Sequence, residues 1–117
     1  MYLSLVIPAY NEEQRLPPTL AAVGAFVQSA DFATEVVVVD DGSTDGTRDV
    51  LRQLEDSTVR VILHDGIRGK GAAVRTGLAV ASGDYVLIQD ADLEYDPEDW
   101  PKLIAPVLRG VARAVYG

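Results

Sequence analysis

Two pairs of carboxylates and one glycine-rich basic turn are the parts of this sequence equipped for chemistry. Asp90-Ala91-Asp92 sets two carboxylates two positions apart, just past an apolar segment. In extended backbone such side chains point the same way and can share one cation. Hard oxygen donors suit Mg²⁺ or Mn²⁺. Taken alone, an Asp-x-Asp is more simply a solvated acidic loop. Here a second pair, Asp40-Asp41, closes a run of four valines. Carboxylates gathered on one rim repel one another unless something compensates them. A shared cation is a reason to collect them, and it tips the reading towards a metal-binding site.

The stretch Asp40-Asp-Gly-Ser-Thr-Asp-Gly-Thr47 is otherwise turn chemistry. That accounts for Gly42 to Thr47 but not for two carboxylates ending a valine strand. A carboxylate there can accept hydrogen bonds from a base N–H or from ribose hydroxyls, as acidic residues at strand ends do in dinucleotide sites. Arg68-Gly-Lys-Gly71 precedes a helical segment carrying Arg75. Backbone N–H groups at a helix start, with Lys70 beside them, form a candidate diphosphate site. The spacing is neither a Walker A loop nor G-x-G-x-x-G, since Val74 takes the last glycine's place. On its own, a turn with solvated charges explains it equally well. His64, the sole histidine, is assigned no catalytic role, and Trp100, spaced with Leu103 and Ile104, reads as core.

The elements that must position these residues alternate. Leu3 to Ile7 predicts a strand ended by Pro8. A helix follows from Pro17-Pro18, with Leu20, Val23, Phe26 and Val27 on one face. Glu35 to Asp40 predicts a strand buried on both faces, the mark of a parallel sheet. Thr44 or Asp45 is placed to cap a helix carrying Val50, Leu51 and Leu54. A strand over 59–63, a helix over about 70–81, a strand over 84–89, a helix capped by Asp96 and a strand over 111–116 complete the series. Such alternation predicts parallel strands with right-handed crossovers and ligands beyond the strands' carboxyl ends. Pro8 to Glu12, Asp40 to Gly42 and Asp90 to Asp92 would then share one rim.

The chain has 117 residues, the size of one domain, with 48% hydrophobic and 24% charged residues and no cysteine. Disulfides and thiolate metal sites are excluded. A formal net charge of −8 disfavours nucleic acid and anionic membrane as non-specific partners, and a nucleotide needs a local cation to approach. No apolar run is long enough to span a membrane, and the N-terminal segment reads as a first strand and not as a signal peptide. A cytoplasmic placement is compatible with this. The final strand would leave an open sheet edge able to pair with a second copy in a homodimer.

Pro8-Ala-Tyr-Asn-Glu12, Asp40-Asp-Gly-Ser-Thr-Asp45, Gly69-Lys-Gly-Ala-Ala-Val-Arg75 and Asp90-Ala-Asp-Leu-Glu94 occur in this order. Together they resemble glycosyltransferase family 2, and within it the dolichyl- or polyprenyl-phosphate sugar synthases. Each motif is loose, but four in order at this spacing are specific, and they cover essentially the whole chain. The resemblance implies a GT-A, Rossmann-like fold: three α/β/α layers with a mainly parallel sheet, of which residues 1–117 form the nucleotide-sugar-binding portion. It implies inverting, divalent-metal-dependent transfer from a UDP- or GDP-sugar, with a lipid phosphate at the membrane surface as acceptor. Under it Pro8, Ala9, Tyr10 and Glu12 line the nucleotide pocket, Asp40 contacts the base or ribose, Asp41 and Gly42 belong to the same nucleotide-sugar site, and Lys70 and Arg75 lie nearby. Asp90, Ala91 and Asp92 meet the donor, Asp92 and Asp90 serve catalysis, and Asp92, Asp90 and Glu94 hold Mg²⁺ or Mn²⁺.

Two departures stand out. Relatives commonly carry Asn where Ile67 stands, and their domain continues past the strand that ends at Gly117, into a part supplying acceptor contacts and, in many members, the catalytic base. Two other readings compete: a non-catalytic donor-binding module, and a Mg²⁺-binding receiver domain. A receiver places its acidic pair after the first strand and a lone Asp after the third, whereas the clusters here follow the second and fourth.

Overall fold

The computed structural model describes residues 2–54, 59–89 and 114–116. Its elements are β1 (Tyr2–Ala9), α1 (Leu16–Ser29), β2 (Ala33–Asp40), α2 (Thr47–Leu54), β3 (Val59–Leu63), α3 (Lys70–Val80), β4 (Tyr85–Ile88) and β5 (Ala114–Tyr116). The strands form one sheet in the order β3-β2-β1-β4-β5, and every pairing is parallel.

Side-chain alternation along β1 and β2 builds two cores, one on each face. Leu3, Leu5, Ile7 and Ala9 of β1, with Val36 and Val38 of β2, pack against Leu16 and Val23 of α1 and Leu51 of α2. Val6, Val37 and Val39 point the other way and meet Ala73 of α3. The valine run is therefore buried on both sides, as its lack of polar alternation predicts. Full burial of a Leu, Ile or Val side chain contributes about 1.5–3 kcal/mol, so these two faces dominate what holds the sheet together.

The layering follows from crossover handedness. β1 to β2 and β2 to β3 step in one direction across the sheet, and α1 and α2 lie on one face. β3 to β4 steps back across β1, and α3 lies on the opposite face. Right-handed crossovers require that reversal. It places β1 and β4 at the point where the strand order turns, the usual seat of ligands in open α/β sheets.

Of the boundaries that differ from expectation, two involve prolines. Pro8 does not end β1; the strand runs on to Ala9, with Pro8 opposite Val39. The Val6 carbonyl accepts from Gln89 N–H on the β4 side, while the Ala9 carbonyl accepts from Asp41 N–H on the β2 side. Pro8 shares the orientation of Val6, so its missing N–H faces β4 beyond the last paired residue, Ile88, and costs no paired rung. α1 begins at Leu16, one residue before Pro17-Pro18. Both prolines fit because N–H groups of the first turn have no intrahelical partner. The expected helix capped by Asp96, with Trp100, Leu103 and Ile104, lies outside the described residues.

Candidate functional site: the carboxyl rim of the sheet

Register brings the ends of β1 and β2 side by side, with Ala9 opposite Asp40. The segments that follow are stitched together by hydrogen bonds. Asn11 N–H donates to Ser43 Oγ at 2.9 Å, and Asn11 Oδ1 accepts from Thr44 N–H at 2.8 Å. Glu12 N–H donates to Thr47 Oγ1 at 2.9 Å, and Gly46 N–H donates to Glu13 Oε1 at 3.0 Å. Asn11 adopts φ 50°, a left-handed conformation that asparagine tolerates better than most residues. Thus the polar residues of the two motifs hold one loop against the other. The carboxylate of Asp45 accepts Thr47 N–H at 2.9 Å at the start of α2, the capping expected there, whereas Thr44 is engaged with Asn11. The bond from the Thr47 hydroxyl chiefly holds the Asp45 carboxyl below its usual range.

The acidic pair at the end of β2 splits into two separate roles. Asp40 is fully buried, and its carboxylate accepts from Ser43 N–H at 3.1 Å, from the Ser43 hydroxyl and from Arg48 Nε at 2.9 Å. Arg48 also donates to the carbonyl of His64. Asp41 points to the other side of the rim. Its Oδ1 meets His64 Nδ1 at 2.9 Å and accepts Arg68 N–H at 2.9 Å, and its Oδ2 accepts Gly69 N–H at 2.9 Å. Burial is the strongest single influence on Asp41 and pushes its pKa up. The bonds from His64, Arg68 and Gly69 outweigh it and hold the carboxyl below its ordinary 3.8.

Protein donors compensate the charges of Asp40 and Asp41, so these two carboxylates are accounted for without a shared cation. In the Arg68-Gly69-Lys70-Gly71 turn, the candidate diphosphate site, not every N–H is open to an anion. Two of its N–H groups already serve Asp41. The turn still presents charge, because Lys70 and Arg75 are exposed at the start and middle of α3.

Gly42 stands between the two carboxylates' segments with φ 77°, and an added Cβ would come within 2.7 Å of the Gly66 carbonyl carbon. Only glycine permits both the backbone conformation and the close approach. Tyr10 projects from the rim with 42% of its surface exposed. An open depression of about 350 Å³ lies beside it, lined by Asn11, Glu12, Glu13, Gln14, Arg15 and Asp45. Its three carboxylates make it unsuited to a diphosphate. Ile67, where a polar residue was expected, is 64% exposed. Asp90, Ala91, Asp92 and Glu94 lie outside the described residues. After β4 the chain is described as far as Gln89, which is buried beside the end of β1.

His64, Arg48, Ser43 and Thr47 are the rim residues that sequence reasoning passed over. A lone histidine directly after a strand, within reach of an acidic pair, was the available signal for the first.

A family model described as Glycosyl transferase family 2 matches residues 4–117. An undecaprenyl-phosphate 4-deoxy-4-formamido-L-arabinose transferase of Aeromonas hydrophila is 38% identical over 111 residues, covering 92% of this chain and 34% of the relative. One of the same name from Pseudomonas fluorescens is 39% identical over 107 residues, covering 89% of this chain and 32% of the relative. The chain therefore spans about a third of the length of the curated relatives it matches. Among solved structures, Staphylococcus aureus TarS 1-349 in complex with UDP-GlcNAc is similar, with 29% identity and a TM-score of 0.75 over 94% of this chain and 32% of that one. The glucosyl-3-phosphoglycerate synthase of Mycobacterium tuberculosis, in complex with Mn²⁺, UDP and phosphoglyceric acid, reaches 32% identity and a TM-score of 0.73 over 92% of this chain and 39% of that one. The layered parallel sheet is the GT-A, Rossmann-like architecture in part, and the chain belongs to glycosyltransferase family 2.

Proposed function

We propose that residues 1–117 form the donor-binding portion of an inverting glycosyltransferase that takes its sugar from a UDP- or GDP-sugar. The observation that carries this reading is the meeting of the β1 and β2 ends at one rim, with β4 arriving on the other side of β1, in a chain of this family. The likeness to TarS held with UDP-GlcNAc and to a synthase held with UDP and Mn²⁺ supports a nucleoside-diphosphate donor.

In this reading the exposed ring of Tyr10 and the backbone of Pro8 and Ala9 form one wall of the nucleotide pocket, with Glu12 beyond them. Asp41 and Gly42 shape the opposite wall, and Asp40 acts from beneath by fixing Ser43. Lys70 and Arg75 bring positive charge to a rim that is otherwise acidic, as an anionic donor requires. Asp92, with Asp90 and Glu94, would hold the divalent ion. All are oxygen donors suited to Mg²⁺ or Mn²⁺, and they follow the strand that ends at the turning point of the sheet. When bound, such an ion offsets the charge that grows on the diphosphate leaving group.

The acceptor we propose is a polyprenyl phosphate at a membrane surface, the substrate class named in the relatives. A phosphate oxygen is already a nucleophile, so attack on the far side of the sugar needs little general-base assistance. Among the described residues no helix is long and apolar enough to cross a membrane. We place the domain at the cytoplasmic face, where nucleotide sugars are made.

Calorimetric titration with UDP and GDP, with Mn²⁺ and then with EDTA, tests the reading. Binding of one nucleotide that disappears with EDTA is expected. Absence of binding to either, with Mn²⁺ present, would refute a donor site in this chain. Donor binding without transfer to added polyprenyl phosphate would limit the chain to a binding module.

A further inference from the structure

The donor-site reading leaves one buried polar relay unexplained. His64 follows β3, is 3% exposed and anchors its own backbone by donating its N–H to the Asp40 carbonyl at 2.9 Å. Its ring lies between two elements. Nδ1 is 2.9 Å from Asp41 Oδ1, and Nε2 is 2.9 Å from Thr76 Oγ1 on α3. An ionised carboxylate only accepts, so Nδ1 carries the proton shared with Asp41. In the neutral ring Nε2 then accepts from the Thr76 hydroxyl. Asp41 in turn accepts the N–H groups of Arg68 and Gly69. The chain of contacts therefore runs from the second turn of α3, through the ring and the carboxylate, back to the turn that starts the same helix.

That loop of bonds has a mechanical consequence. Gly69 precedes α3 with φ 97° and no side-chain cap, and no other atom lies within 4 Å of where its Cβ would be. The turn packs on Gly42 at Gly66 and Ile67, but at Gly69 no neighbour restrains it, so there its conformation depends on the bonds to Asp41. A carboxylate on a rotatable side chain holds two N–H groups in place only if its own orientation is held, and His64 does that.

We propose that His64 is a positioning residue for donor binding: through Asp41 it sets the Gly66–Gly71 turn, and with it where Lys70 stands at the rim. This rests on the donor-site reading for its ligand but makes a separate claim about the turn. His64 itself touches no substrate.

The test uses the full chain and three variants. His64→Asn keeps a donor facing Asp41 and loses the reach to Thr76. His64→Leu loses both bonds, and Thr76→Val removes only the distal one. For nucleotide binding with Mn²⁺, His64→Leu is expected to weaken affinity about tenfold or more, the scale of one hydrogen bond to a charged group, while His64→Asn stays close to the parent. In amide NMR spectra the Arg68 and Gly69 N–H resonances should lose their carboxylate-bonded shift in His64→Leu and keep it in His64→Asn. Thr76→Val, which is less prone to misfold, should move the same two resonances partway. Unchanged Arg68 and Gly69 amides in both His64→Leu and Thr76→Val would overturn the proposal. So would equal weakening in His64→Asn and His64→Leu, which would mark a general loss of packing. If the parent chain binds neither nucleotide, the donor reading fails and the donor role of His64 falls with it, while the amide shifts still decide whether His64 sets the turn.

Discussion

Arg48 reaches from the first turn of α2 to place its Nε 2.9 Å from Asp40 Oδ2, pinning a fully buried carboxylate at the end of β2. The same guanidinium bonds the His64 carbonyl, so one side chain joins β2, α2 and the end of β3. Arg48→Met keeps the aliphatic stem and deletes the donors. It leaves a buried charge with only Ser43 as donor and is expected to cost about 2 kcal/mol. Urea denaturation of the variant measures this, and a loss below about 0.5 kcal/mol would show that solvent replaces the guanidinium without penalty.

Gly77 lies on α3 directly over β1, where an added Cβ would overlap the Val6 Cγ1 methyl. Alanine favours a helix over glycine by about 1 kcal/mol, but overpacking a closed interface costs about 1–3 kcal/mol. Gly77→Ala should therefore destabilise on balance. Val6→Ala removes the opposing methyls, so the double variant should recover part of the loss. Strict additivity in that cycle would mean the two residues do not oppose each other.

Acid should weaken the fold through Asp41. Its carboxyl is held below the ordinary 3.8, so its contribution is fully present above that value and is lost as pH falls through the lower value of the folded state. Melting temperature should thus be insensitive to this group from pH 7 to 5 and fall below about pH 4. Asp41→Asn should be less stable at neutral pH and show a shallower acid limb. An identical acid limb in the variant would assign the loss to other carboxylates.

The metal assignment rests on residues beyond β4. Asp92→Asn is expected to abolish the Mn²⁺-dependent part of nucleotide binding, by tenfold or more if one charged oxygen ligand is lost. Circular dichroism should be unchanged, since Asp and Asn have nearly the same volume and shape. Metal-dependent binding equal to that of the parent would remove Asp92 from the ligand set.

Much of the architecture was readable from the chain itself. The valine run ending at Asp40 announces a strand buried on both faces, because no polar residue alternates with the apolar ones. Alternating strand and helix patterns then leave a parallel sheet as the economical arrangement, and the four short motifs carry the family. These signals are local: they depend on residues adjacent in sequence or spaced by one helical turn.

The partners of the rim's charges were not local, and only the folded chain decided them. Asp40 and Asp41 are neighbours in sequence, yet successive residues at a strand end face opposite ways. One therefore meets Arg48 and the other meets His64 and the turn before α3. Pro8 reads as a terminator until the strand order shows that its missing N–H faces the side where β4 has already ended. Composition and spacing supply which donors and acceptors exist. Which of them meet depends on crossover direction and register, and those are settled by packing both faces of the sheet at once.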